Sequence, residues 1–173
     1  TDRQGVESML HLDGLLDVVI PRGGAGLIRA VVQNSTVPVI ETGCGVCHTF
    51  VDESADLAMA EKIALNAKVS RPSVCNAMET LLVHESIAEE FLPRLVRAME
   101  AAGVELRGCE KARAVCTSLK EAQEEDWSTE YGDLILSVKV VRDLGEAIAH
   151  INRYNTGHSE TIVTNDVKHA HRF

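Results

Sequence analysis

The chain has 173 residues, 45% hydrophobic and 25% charged, which suits one globular domain or one lobe of something larger. A net charge of −9 leaves no basic stripe to neutralise phosphates, and aromatics at 3% leave no stacking platform, which argues against nucleic acid as a partner. No apolar run reaches membrane-spanning length, so no membrane is expected, and five sparse cysteines lead to the expectation of a reducing cytoplasm.

In chain order, Val6 to Leu12 reads as a short helix and Leu15 to Ile20 as a buried strand stopped by Pro21. The glycine-rich turn from Arg22 to Gly26 leads into a helix through Leu27, Val31 and Val32. Such a turn can bring backbone N–H groups close to an anion or a cofactor. It lacks the dinucleotide fingerprint and the phosphate-binding lysine, so a plain strand–helix turn stays open. Val37 to Ile40 is a short strand, Glu41 to Gly45 a loop, and His48 to Val51 another strand.

Ser54 can cap an amphipathic helix carrying Leu57, Ala60, Ile63, Ala64 and Ala67. After a turn at Cys75 come a strand, Thr80 to Val83, and a helix from Ser86 to Ala102 that Gly103 terminates. Val104 to Leu106 is a brief strand, followed by a charged, partly helical stretch to Asp126. Strands at Leu134 to Val141 and Thr161 to Val163 flank a helix from Ala147 to Tyr154, and a helical segment closes the chain. This alternation predicts an α/β fold with a largely parallel sheet flanked by helices. The opening Thr1-Asp-Arg-Gln4 and the absence of a C-cap signal after Asp166 lead to the expectation of a piece of a longer protein.

Cys75 is the residue most suggestive of chemistry. Pro72 ends the preceding helix near Arg71, and Ser73 as N-cap would put Cys75 at the second position of a new short helix, where the dipole favours a thiolate. An ordinary buried thiol is the alternative. Cys44-Gly-Val-Cys47-His48 fits the covalent haem pattern, but it lies at a strand boundary inside an α/β alternation with no export signal, so haem is set aside. Cys44 and Cys47 read as packing residues able to pair on oxidation. Cys109 and Cys116 form no zinc-type pair, and His169 and His171 would face apart, so no metal is expected. Glu41, beside Gly43 and Gly45, reads as either a general base or a surface carboxylate. The polar run from Tyr154 to Glu160 reads as substrate contacts or as a bland loop.

Several runs resemble the gamma-glutamyl phosphate reductase (glutamate-5-semialdehyde dehydrogenase) family of the aldehyde-dehydrogenase superfamily. They are Leu16 to Gly24, Val37 to Glu41, Cys47-His48, Arg71 to His84, Glu125 to Tyr131, Ile148 to Tyr154 and Gly157 to Glu160, and together they cover essentially the whole chain. Cys44 and Gly132 depart from the family pattern. The resemblance implies an aldehyde-dehydrogenase-like fold and NADPH-dependent reduction of L-glutamyl 5-phosphate to L-glutamate 5-semialdehyde, in proline synthesis. It implies Cys75 as nucleophile, forming a thioester. It places Arg22, Gly23, Gly24, Glu41 and Glu130 toward the cofactor, and Asn76, His158 and Ser159 toward the substrate. Residues 1–42 would be the remainder of the cofactor-binding domain and 43–173 a C-terminally incomplete catalytic domain. The full-length protein would be a homo-oligomer. A hydrolytic or CoA-acylating aldehyde dehydrogenase, or a catalytically incomplete fragment, are the competing readings.

Overall fold

A computed structural model describes residues 3–41 and 43–173. The chain divides into two compact units, Thr1–Cys44 and Gly45–Phe173.

The first unit holds helices α1 (Arg3–Met9) and α2 (Ala25–Asn34). Among its described residues Leu10, Pro21, Val31 and Val37 are buried, and the N–H of Thr36 donates to the Leu10 carbonyl at 3.0 Å. The two strands expected at 15–20 and 37–40 reduce to one parallel bridge, Val19 to Val39. Here Val19 N–H donates to Pro38 O at 2.9 Å and Ile40 N–H to Val19 O at 3.0 Å. Pro21 cuts the first segment short and Pro38 has no N–H to extend a ladder, while Leu15, Ile20 and Ile40 lie exposed.

The second unit is a six-stranded parallel sheet in the order β4-β3-β5-β2-β1-β6. Its strands are β1 (Cys47–Val51), β2 (Met78–His84), β3 (Glu105–Gly108), β4 (Lys120–Glu121), β5 (Ile135–Val141) and β6 (Glu160–Val163). Helices α3 (Leu57–Val69), α4 (Glu85–Ala101) and α5 (Glu110–Val115) cover one face, where Ala60, Ala64, Phe91, Leu92, Leu95 and Ala112 pack on Leu81, Val83, Leu136 and Val138. On the other face α6 (Leu144–Tyr154) lays Leu144, Ala147 and Ile151 against Phe50, Leu82 and Val141. Strands buried on both sides read as continuous apolar runs, which is why β2 and β5 are legible in the sequence.

Asp56, not Ser54, caps α3: its carboxylate accepts from the N–H groups of Ala58 and Met59 at 2.9 and 3.0 Å. Ser54 lies a residue pair too early and bonds instead to the buried Asp52 carboxylate at 2.9 Å. Gly103 ends α4 at φ +80°, its N–H donating to Glu100 O at 2.9 Å, a turn open to glycine without strain. In α7 (Val167–Arg172), His169 Nδ1 meets Asp52 Oδ1 at 3.0 Å while His171 is exposed, so the two histidines do face apart. Among the described residues no helix is long and apolar enough to cross a membrane.

Register aligns a polar row on the α6 face. Arg107, Ser137, Thr80, His48 and Glu160 sit side by side on β3, β5, β2, β1 and β6. A 3-10 turn, Glu124–Ser128, brings Asp126 onto this row. Its carboxylate accepts from Arg107 at 2.6 Å and from the Tyr131 hydroxyl at 2.8 Å. His150, from α6, is buried against Trp127, and that burial drops its pKa to about 3, so its ring is neutral.

Candidate active site

Cys75 does not start a helix. Pro72 sits at the second position of a turn closed by Val74 N–H on Arg71 O at 3.3 Å, and a second turn closes with Ala77 N–H on Val74 O at 2.9 Å. β2 begins at Met78, so no room remains for a helical turn. Cys75 therefore faces no helix start, contrary to the expectation, and the turn itself takes that place. Two consecutive turns leave the Cys75 thiol exposed, and the N–H groups of Cys75 and Asn76 without an acceptor among the described residues. Two adjacent free N–H groups beside a thiol can receive the oxyanion that forms when a carbonyl is attacked.

The turn is held from below by the segment that enters β1. Gly45 is buried, and a Cβ built on it would overlap the Cys75 carbonyl, so only glycine fits. The Cys47 thiol donates to that same carbonyl at 3.3 Å. Burial pushes the Cys47 pKa up to about 11, so it serves as a protonated donor rather than a second nucleophile.

Each residue of this segment is in turn fixed from outside. Gly45 N–H donates to Glu130 Oε1 at 2.9 Å, Val46 N–H to Thr156 Oγ1 at 3.1 Å, and His48 N–H to Glu160 Oε2 at 2.8 Å. His158 Nδ1 lies 3.7 Å from the Cys47 sulfur and 2.9 Å from Ser159 Oγ. Replacing Gly45 by alanine is expected to displace Cys75, slow its alkylation by iodoacetamide at least tenfold and cost about 1–3 kcal/mol of stability. Unchanged labelling would mean that the turn can yield to the added methyl.

The structure thus brings Cys75, Glu130, His158 and Ser159 around one feature, the 45–48 segment. Asn76 is exposed on the same turn. Among the predicted residues of the first unit, Arg22 and Glu41 are exposed, and Thr42 of the Glu41 loop lies outside the described residues. Gly23 has φ +156°, with Leu27 Cδ2 2.7 Å from where a Cβ would stand. Gly24 opens α2 with no side-chain cap on the helix. An uncapped helix start behind a glycine turn fits an anionic group such as a cofactor phosphate. All five cysteines are free, and among the described residues no group of His, Cys, Asp and Glu could hold a metal ion.

Residues 18–131 match the model of the aldehyde dehydrogenase family. The chain belongs to that family. Along its whole length it is 60% identical to the gamma-glutamyl phosphate reductase of Caldanaerobacter subterraneus subsp. tengcongensis and 61% identical to that of Carboxydothermus hydrogenoformans, in each case over 42% of the relative. The crystal structure of gamma-glutamyl phosphate reductase from Thermotoga maritima matches the whole chain at 55% identity with a TM-score of 0.96, over 42% of that chain. The resemblance read from the residues, and the aldehyde-dehydrogenase-like fold it implied, are borne out. The chain spans about two-fifths of the length of these relatives.

Gly45, Thr156 and Glu160 support the Cys75 turn and were not among the residues expected at the site. Gly45 carried a signal, a glycine two residues before an apolar strand, where close backbone approach is a standing possibility. The other two sit in the polar run from Tyr154 to Glu160, whose register against β1 only the fold supplies.

Proposed function

We propose that this chain is the nucleophile-bearing part of a gamma-glutamyl phosphate reductase, which makes L-glutamate 5-semialdehyde and phosphate from L-glutamyl 5-phosphate for proline synthesis in the cytoplasm. The observation that carries the reading is the exposed Cys75 thiol on a turn with two unused N–H groups, backed by 60% identity to a relative of that name. The Cys75 thiolate attacks the acyl carbonyl, the N–H groups of Cys75 and Asn76 receive the oxyanion, and the carbon–oxygen bond to phosphate breaks. Loss of one such donor costs about 3–4 kcal/mol in the barrier. Phosphate leaves with its own charge, so that step needs little acid assistance, and a Cys75 thioester results.

NADPH, when bound, supplies the hydride that reduces the thioester. Arg22, Gly23 and Gly24 would hold it through the uncapped start of α2, and Glu41 and Glu130 are the further cofactor contacts in this reading. The oxyanion then collapses, the carbon–sulfur bond breaks, and Cys75 leaves as thiolate while the aldehyde departs. His158 and Ser159 line the substrate end. No water attacks the thioester in this direction, so Glu41 has no hydrolytic step to serve. Residues 1–42 belong with the cofactor-binding domain in this reading, 43–173 with the catalytic one, and the whole enzyme is a homo-oligomer.

The test runs the reaction backwards, measuring NADP reduction by L-glutamate 5-semialdehyde with and without inorganic phosphate. The full-length protein carrying this segment is expected to require phosphate. Turnover supported by CoA, or by neither, would overturn the reading in favour of an acylating or hydrolytic aldehyde dehydrogenase.

A further inference from the structure

Beside Cys75 the last turn of α3 and the 71–77 turn enclose an open groove of about 340 Å³, lined among others by Asn66, Ser70, Arg71, Val74 and Asn76. That is at the low end of the ~300–1,000 Å³ typical of small-molecule pockets. The whole groove lies within the second unit. Its lining is polar, and no acidic side chain contributes to it.

We propose that this groove binds the charged head of an α-amino-acid substrate, its carboxylate on Arg71 and its ammonium on the C-terminal carbonyls of α3. This rests on the reading of Cys75 as the reacting nucleophile and names what its substrate must carry. Arg71 is exposed and pairs with no carboxylate among the described residues, although most of the other cations of this unit do. Lys68, three residues earlier, is taken up by Glu79 at 2.7 Å. A guanidinium left unpaired at a groove presents a planar fork that matches a carboxylate.

The ammonium half comes from the helix. Ser70 N–H closes on Asn66 O at 3.2 Å, and the carbonyls that follow in the last turn have no helical donors. They carry the negative end of the dipole, which favours a cation. Asn66 and Asn76, whose amides can accept from an ammonium, also line the groove. The groove thus offers both a cation and the negative end of a helix, so it discriminates a zwitterion from a plain aldehyde or a plain acid. Val74 and Asn76, the residues on either side of Cys75, both line the groove, so the head site and the nucleophile share one turn.

Three aldehydes separate the contributions: L-glutamate 5-semialdehyde, 5-oxopentanoate, which lacks the ammonium, and butanal, which lacks both charges. In the full-length protein Arg71→Ala is expected to raise KM for the first two about 10- to 100-fold, the loss of a charge-assisted pair, with kcat nearly unchanged. KM for butanal should move less than about twofold, and Arg71→Lys should recover part of the loss. An equal rise for butanal would make Arg71 a support of the Cys75 turn, and no rise would place the head elsewhere; either result overturns the proposal. Should the parent turn over none of the three, the reductase reading has failed, and titration of the 173-residue chain with L-glutamate decides the groove on its own. Saturable NMR shifts at the amides of Arg71 and Asn76 that vanish in Arg71→Ala support it, and their absence overturns it.

Discussion

Replacing Cys75 by alanine in the full-length protein is expected to lower phosphate-dependent semialdehyde turnover by ~10⁴-fold or more, because no covalent intermediate can then form. Cofactor affinity should stay within about twofold, and so should resistance to urea, since an exposed side chain outside the packed core contributes within about 0.5 kcal/mol. The neighbouring thiol cannot substitute. Cys47 is buried, and with its pKa pushed to about 11 it remains protonated while donating to the Cys75 carbonyl. Mass spectrometry of the iodoacetamide-treated parent should accordingly find the label on Cys75 and not on Cys47. Serine at position 75 should be nearly as inactive as alanine, since a hydroxyl is a far weaker nucleophile than a thiol at neutral pH. Turnover in Cys75→Ala near that of the parent would exclude the thioester route.

Most of the second unit was legible because its strands are apolar on both faces. Thr80 to Val83 and Leu134 to Val141 stand out in the sequence at β2 and β5, as does the helical spacing of α3. What failed was decided by distance or by neighbours. The segments 15–20 and 37–40 have strand composition, but a single bridge, Val19 to Val39, joins them where two strands were expected. Cys75 has the capping pattern of a helix start, yet three residues later the chain is already in β2. Ser54 and Asp56 are both acceptable caps, and the buried Asp52 decides between them by engaging the serine. At the site, Cys75 itself was legible from Pro72 and its surroundings. The residues that hold it were not, because Gly45, Glu130 and Thr156 reach it from 30, 55 and 81 positions away in the chain. Lys68 and Glu79 did leave a trace: Lys68 continues the apolar face set by Ala60 and Ala64, and Glu79 interrupts an apolar strand.

That pair carries the largest expected effect on stability. Lys68 and Glu79 are 0% and 1% exposed, joined at 2.7 Å, with the second Glu79 oxygen accepting from Gly132 N–H at 3.2 Å. Burial pushes the Lys68 pKa down and the Glu79 pKa up, each opposed by the charge of the other. Lys68→Met removes the counter-charge and leaves a carboxylate in the core, and about 3–5 kcal/mol should be lost. The loss depends on pH in a definite direction. A carboxyl whose folded pKa lies above its unfolded value releases its proton more readily on unfolding, so stability falls as pH rises through that interval. Urea denaturation followed by the fluorescence of Trp127, the single tryptophan, should therefore show a smaller deficit at about pH 5 than at about pH 8. Pairing the change with Glu79→Leu should recover most of the loss, because it is the unpaired charge and not the missing attraction that destabilises. A deficit under about 1 kcal/mol at both pH values would mean that water reaches Glu79 once Lys68 is gone, and that the pair is not sealed beneath the strand that follows Cys75.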